Sequence, residues 1–331
     1  MKVIWLHRSP RMHGNFSIER CFAEMRSGFE SLEEPCEIEE IQVPHPTSGW
    51  LSMVRNVLFC LRLRADLAHV SGDIHYVMPF IRARRKVLTI HDLGMLTESN
   101  AAPWKRFALR VAWFTIPLRF CHAVACVSPF SLDRLNQLFP NSKGQIRLVI
   151  PTAIPQPLKP VEATPRVPSE PFRVLQIGTQ PNKNAARIWR ALHGLPAKLF
   201  IVGQPTDELK RLEEQCPLEH EFHISISDAE LEELYSASDL VAFASTHEGF
   251  GMPLIEAQLH GVPCITSHLE PMKSNAGDGA LLVDPSSDEQ IRAGIIRLMN
   301  EPQLRQELVI KGRENAQRFT GRRVAEDYQN L

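Results

Sequence analysis

No apolar run in this chain approaches the length of about 20 residues needed to cross a bilayer. The nearest, Val111–Leu118, is short and interrupted by Pro117. The first residues lack the apolar core of a secretory signal. Cysteine is sparse and unpatterned: seven residues, an odd number, none in a C-x-x-C pair. That excludes a disulfide framework or a cysteine zinc site and fits reduced thiols in a cytoplasmic protein. No G-x-G-x-x-G follows the first strand, and no Asp-x-Asp pair or ligand cluster calls for a metal. What remains is an ordinary globular composition, 44% hydrophobic and 23% charged, over 331 residues. A chain of that length exceeds one core, so two domains are expected.

The net charge of −1 conceals an asymmetry. Residues 1–150 hold 19 Lys and Arg against 13 Asp and Glu, and residues 151–331 hold 18 against 25. The basic excess concentrates at Arg82, Arg84, Arg85 and Lys86, then at Lys105, Arg106, Arg110 and Arg119. A solvated face is one reading of the cluster. The other is an anionic partner: lipid headgroups at the membrane inner face or a phosphorylated acceptor. Nucleic acid is not expected, because no recognised binding motif accompanies the charge.

Val3–Leu6 is a short apolar strand, and the loop after it contains Gly14. From Phe16 the spacing of Phe16, Cys21, Phe22, Met25 and Phe29 predicts a helix. Further strands are expected at Leu67–Val70, Val87–Ile90, Ala123–Val127 and Ile146–Ile150, alternating with amphipathic stretches. Seven prolines between 151 and 171 forbid regular structure there, so this is a linker. A second series follows: strands at Arg173–Gly178, Lys198–Gly203 and Leu240–Ala244, with helices at Asn184–Leu192 and Asp228–Ser236. The expected architecture is α/β, two Rossmann-like doubly wound domains facing across a cleft. The boundaries are 1–150, a proline-rich linker 151–171, a second domain 172–315, and a C-terminal helix 316–331 that packs back on the first domain. Ligand binding is expected at the carboxyl ends of the strands.

The most informative stretch is Glu248-Gly249-Phe250-Gly251-Met252-Pro253-Leu254-Ile255-Glu256. It follows an apolar strand and opens a helix, the unit by which α/β proteins present backbone amides to an anion. Proline suits the first helical turn, where its missing N–H would be unpaired anyway. Glu256 then falls in the first turn, where the helix dipole alone would favour an acid. The combination with Glu248 and two glycines points further, to a phosphate held by the loop and carboxylates gripping hydroxyls beside it. Gly178-Thr179-Gln180-Pro181-Asn182-Lys183-Asn184 follows the first strand of the second half in the same way. There Lys183 at a helix start adds a point charge suited to a diphosphate; a solvent-facing lysine is the plainer alternative. His91-Asp92 ends the strand Val87–Ile90, although Asp92 alone also reads as a turn cap. Gly14 either lets a ligand approach the backbone or only makes its turn. Ile226 precedes Ser227 and Asp228, which read as a helix N-cap.

The 248–256 pattern resembles the Glu-x7-Glu signature of retaining, family-four glycosyltransferases of GT-B architecture. The likeness continues through Ala257–Pro263 and Gly277–Pro285 and is strongest over residues 172–290. It implies transfer of a hexose from a nucleotide diphosphate sugar to an acceptor hydroxyl with retention, in polysaccharide or glycolipid synthesis. The acceptor would be a carbohydrate or lipid-linked, and no cofactor or metal would be required. On this resemblance Lys183 and the amides of Phe250, Gly251 and Met252 hold the diphosphate, with Gly249 a further donor contact. Glu256 holds the ribose, Glu248 the sugar hydroxyls, and His91 approaches the donor sugar. Thr179, Asn184, Gly14 and Ile226 complete the donor contacts. Two positions depart from the family pattern: Thr179 stands where an Arg is usual, and Lys273-Ser274 where Pro-Glu is usual. An epimerase or phosphorylase of the same architecture, or a non-catalytic nucleotide-binding relative, are the competing readings.

Overall fold

The computed structural model describes residues 2–9, 17–33, 37–47, 49–97, 102–140, 144–157 and 168–331. Gly14 lies outside them. Two compact units result: Met1–Ala153 with Gly321–Leu331, and Ile154–Thr320.

In the N-terminal unit the order is β1 Val3–His7, α1 Ser17–Glu30, β2 Ile38–Gln42, α2 Trp50–Cys60 and β3 Arg64–Val70. A 3₁₀ turn, His75–Phe80, leads to β4 Arg82–Ile90 and α3 Gly94–Thr97. Next come α4 Pro103–Leu109, a π-helical segment Arg110–Thr115, α5 Ile116–Phe120, β5 Ala123–Cys126, α6 Pro129–Leu138 and β6 Ile146–Val149. All strand pairs are parallel, in the order β2-β1-β3-β4-β5-β6. The chain leaves β1 in one direction for β2 and returns on the other side for β3. The switch point therefore lies between β1 and β3.

Both faces of this sheet are covered, which is why its inner strands read as apolar runs. On one face Ile4, Val70, Leu88 and Val124 pack with Met78, Phe114 and Leu118. On the other, Val3 and Trp5 meet Phe22, Met25 and Phe29 of α1 and Val324 and Ala325 of the last helix, α14 Gly321–Gln329. Helices α1 and α14 cross at glycine: a Cβ on Gly28 would strike the backbone of Gly321, and one on Gly321 the carbonyl of Glu24.

The second unit runs β7 Phe172–Ile177, α7 Ala185–Leu192, β8 Ala197–Val202, α8 Asp207–Gln215, β9 Glu219–His223, α9 Asp228–Ala237 and β10 Leu240–Phe243. It continues with α10 Met252–Leu259, β11 Cys264–Ser267, α11 Met272–Ala276, β12 Leu281–Val283, α12 Asp288–Asn300 and α13 Pro302–Ala316. Its sheet is again wholly parallel, ordered β12-β11-β10-β7-β8-β9, with the switch point between β7 and β10. One face of this core joins Val174, Leu199, Ala242 and Ile265 to Ile188, Trp189, Ile291 and Ile295. The amide of Ile154 donates to the carbonyl of Phe319 at 2.8 Å, which ties together the segments where the chain enters and leaves this unit.

The structure changes the reading of the basic quartet. Strand β4 starts at Arg82, five residues before the expected Val87. Alternation on a strand puts Arg82 and Arg84 on one side and Arg85 on the other. Lys86 is buried: its Nζ donates to the carbonyl of Met78 at 3.1 Å and sits 5.6 Å from the centre of the Phe120 ring. Arg82, Arg84, Arg85 and Lys86 therefore do not form one exposed face. They also lie at the amino end of β4, whereas His91 follows its carboxyl end. No helix of the described residues is long and apolar enough to cross a membrane.

Candidate functional site

Strands β7 and β10 are neighbours, pairing Leu240 with Val174 and Val241 with Leu175. Their carboxyl ends release the two loops that the sequence singles out, and the loops are stitched together. The amide nitrogen of the Asn182 side chain donates to the carbonyl of His247 at 2.9 Å, and the backbone N–H of Thr246 donates to the carbonyl of Asn182 at 2.9 Å. Asn184 adopts a left-handed backbone, φ 62°. Its side-chain nitrogen donates to the carbonyls of Ala244, at 3.0 Å, and Pro285, at 2.6 Å. Both N–H donors of its amide group are thus used in positioning loops.

The centre of the site is an ion pair. Lys183 Nζ lies 2.7 Å from Glu248 Oε1, with both side chains largely withdrawn from solvent. The same ammonium sits 5.0 Å from the centre of the Phe243 ring, a cation–π contact from the last residue of β10. Gly178 makes the approach possible: its φ is +90°, and a Cβ there would lie 2.8 Å from Lys183 Cγ. Thr179 packs against Gly203 and brings no charge.

Beyond Glu248, the N–H groups of Gly249, Phe250 and Gly251 have no partner among the described residues. Gly251, φ +91°, turns the chain into α10. The carbonyl of Phe250 accepts from Asn275 Nδ2 at 2.7 Å, and its ring packs edge-on against Phe319. Phe250 thus contributes backbone to the loop and anchors it by its side chain. N–H groups left unpaired just ahead of a helix are the kind of donor an anion can use.

Glu256 is the fifth residue of α10, so the expected place in the first turn is corrected by one turn. The helix dipole gives little reason for an acid at that depth, since its influence fades beyond the first turn. Glu256 is buried, and its Oε2 accepts a 2.7 Å hydrogen bond from the Tyr235 hydroxyl. Tyr235 is itself stacked on His260, with ring centres 4.7 Å apart. Sequence reasoning missed Tyr235, Phe243 and Asn275. Tyr235 on α9 and Phe243 in β10 look like core residues, and core residues they are, with polar or π groups turned to the site.

Ile226 lies in the loop between β9 and α9, and β9 is separated from β7 by β8. Ser227 after it forms a capping box with Glu230. His91 belongs to the N-terminal unit. Its Nε2 is 3.3 Å from the hydroxyl of Ser71, and burial pushes its pKa down to about 4, so the ring is neutral at pH 7. Asp92 accepts from the backbone N–H of Gly94 at 2.9 Å and serves as a turn cap. The glycine loops, the lysine and Glu248 thus converge at one switch point, with Glu256 one turn into the adjoining helix.

Residues 163–315 match the family profile described as Glycosyl transferases group 1. The chain carries a glycosyl transferases group 1 domain. Over 311 residues the protein is 26% identical to the O-antigen chain mannosyltransferase B of Escherichia coli, an alignment covering 87% of this chain and 77% of that one. Its fold matches sucrose-phosphate synthase from Thermosynechococcus elongatus with a TM-score of 0.77 at 18% identity, covering 100% of this chain and 98% of the other. It matches Anabaena HepE, solved in complex with UDP and glucose, with a TM-score of 0.73 at 20% identity and coverages of 100% and 98%. Two parallel six-stranded units of this kind are the GT-B glycosyltransferase architecture. Within the glycosyl transferases group 1 domain, the sequence departure at Thr179 leaves Lys183 as the cation of the β7 loop. Arg187 and Arg190, one and two turns on, are both paired with Asp288.

Proposed function

We propose that this chain is a retaining, metal-independent hexosyltransferase of polysaccharide or glycolipid synthesis. It would move a hexose from a nucleotide diphosphate sugar to a hydroxyl of a carbohydrate or lipid-linked acceptor. The observation that carries the reading is the Lys183–Glu248 pair at the β7–β10 switch point, beside the unpaired amides of residues 249–251. A diphosphate placed on those amides takes Lys183 as its counter-ion and releases Glu248 toward sugar hydroxyls. Glu256, whose Oε2 accepts from the Tyr235 hydroxyl, would accept hydrogen bonds from the ribose in this reading. The bond from C1 to the diphosphate oxygen breaks with its electrons on that oxygen. The acceptor oxygen bonds C1 from the same side, and its proton passes to the departing phosphate. Fixed donors already aimed at the oxygen where negative charge develops lower that barrier without having to reorganise during the reaction. His91 is proposed as a neutral hydrogen-bonding group for a sugar hydroxyl. The relatives agree in kind: one is named a mannosyltransferase, and another was solved with UDP and glucose.

A thermal-shift screen across nucleotides and nucleotide sugars tests the proposal, followed by analysis of the product's anomeric configuration. Ligand at about a hundredfold excess over its dissociation constant stabilises the fold by roughly 2–3 kcal/mol. Failure of every nucleotide sugar to shift the melting temperature would overturn the reading. Activity should survive EDTA; loss restored by magnesium or manganese would refute the metal-free mechanism.

A further inference from the structure

One hollow in the described N-terminal unit lies away from the carboxyl ends of its strands. It lies at their amino ends, with a volume of about 900 Å³. Its origin is a mismatch of strand lengths. The first pairing of β4 with β5 is Val87 with Ala123, so Arg82–Lys86 overhang their neighbour. The space beside the overhang is walled by the ends of α5 and α6 and the start of β6.

Four guanidinium groups line it, Arg85, Arg110, Arg119 and Arg147, together with His122. Among the described residues no Asp or Glu lines it. Arg110 donates to the carbonyl of Leu138 at 2.7 Å and stacks on Phe139, and Arg147 donates to the carbonyl of Phe139 at 2.6 Å. These two build the wall. The guanidinium groups of Arg85 and Arg119 have no ion pair or hydrogen bond among the described residues. Burial pushes the Cys121 thiol at the wall up to about 12, so it adds no negative charge. Four like charges around one hollow repel one another, and an anion between them removes that cost.

We infer that this hollow is a binding site for a phosphate-bearing anion, with Arg85 and Arg119 as its ligand-facing cations. Guanidinium forks match phosphate oxygens in geometry as well as charge. The phosphate can belong to a soluble molecule or to a lipid headgroup. The helical segment supplying Arg110 and Arg119 also exposes Trp104, Phe107, Ile116 and Phe120, apolar groups suited to the headgroup boundary of a bilayer. The site is independent of the donor loops, which belong to the other unit.

The experiment uses the whole chain with two probes at low salt. Inorganic pyrophosphate is titrated by thermal shift, and flotation is run with phosphatidylglycerol–phosphatidylcholine vesicles against phosphatidylcholine alone. Wild type is compared with the double variant R85A/R119A, with a charge-keeping R85K/R119K pair, and with K183A to separate binding at the donor loops. Pyrophosphate binding weakened at least tenfold in R85A/R119A, but not in K183A, supports a soluble source. Vesicle binding that needs phosphatidylglycerol, fades with salt and is lost only in R85A/R119A supports a lipid source. R85K/R119K should retain most of either signal. Binding of both probes at wild-type strength by R85A/R119A, or of neither by wild type, overturns the inference.

Discussion

Lys183 and Glu248, 65 positions apart, meet at 2.7 Å, so the cation proposed for the donor diphosphate is held by the carboxylate proposed for its sugar. Each group is placed by the other. On the proposed reading, donor binding would exchange this ion pair for two sets of contacts. The two substitutions should consequently behave differently. Glu248→Gln frees the lysine, so a nucleoside diphosphate without its sugar should bind as tightly as in wild type or a few-fold tighter, while turnover falls at least a hundredfold. Lys183→Ala should weaken the same nucleotide at least tenfold. It also leaves a mostly buried carboxylate without that partner, which costs about 1–3 kcal/mol of stability. Calorimetry on both variants decides the matter. Equal weakening of nucleotide binding by the two would show that the pair does not divide its duties this way.

The Tyr235–Glu256 hydrogen bond makes a second, finer prediction. Tyr235→Phe keeps the ring stacked on His260 and removes only the hydroxyl, so the fold should lose no more than about 1 kcal/mol. Released from that bond, Glu256 would sample other orientations. The KM for the nucleotide sugar should rise three- to tenfold, on the order of 1 kcal/mol of lost orientation, with kcat nearly unchanged. Glu256→Ala should cost at least tenfold in kcat/KM. An unaltered KM in Tyr235→Phe would remove Tyr235 from the site.

These pairs also mark where sequence reading stops. Glu248, the glycines and Glu256 are legible because the signal is local: a strand, a turn and a helix start within a dozen residues. The partner of Glu256 comes from the preceding helix, where Tyr235 has no feature to set it apart from core. The central strands β7, β8 and β10 stand out as apolar runs. Two edge strands do not: Ile38–Gln42 and Glu219–His223 carry acids and have no fully buried residue. The arginines of β4 mislead for the opposite reason. Arg82, Arg84, Arg85 and Lys86 lie close enough in sequence to suggest one face, but a strand divides them between two sides and buries Lys86.

Gly28 and Gly321 should tolerate no side chain. Helices α1 and α14 touch backbone to backbone at this crossing, and a methyl on either glycine meets a peptide group that cannot rotate away. Gly321→Ala has to push α14 off the sheet, where Val324 and Ala325 are fully buried. Overpacking of this kind costs about 1–3 kcal/mol. Gly49, with open space around its Cβ position, is the matched control for a glycine-to-alanine change, apart from the cost of its own φ of +85°. Chemical denaturation of the two variants gives the comparison. A stability loss at Gly321 no greater than at Gly49 would contradict the close packing of α1 on α14.

The N-terminal unit should weaken as pH falls, through histidines held neutral inside it. His69 lies at the end of a buried chain: its Nε2 is 2.7 Å from the Thr89 hydroxyl, which is 2.7 Å from the Tyr328 hydroxyl of α14. Burial, reinforced by His7 and His91 nearby, pushes His69 down to about 3, and burial pushes His75 down to about 4. In the unfolded chain each ring titrates near 6.5. Between those values the unfolded state binds more protons than the folded one, so stability is complete above about pH 6.5 and drains away toward pH 4. Each such ring contributes a slope of up to about 1.4 kcal/mol per pH unit. His69→Gln retains a polar group beside Thr89 and cannot be protonated. It should be less stable than wild type at pH 7.5, and the gap should close by about 1 kcal/mol per unit between pH 6 and 4.5. Denaturation curves at four pH values test this. If the two proteins lose stability in parallel over that range, His69 is not among the groups that acid must protonate.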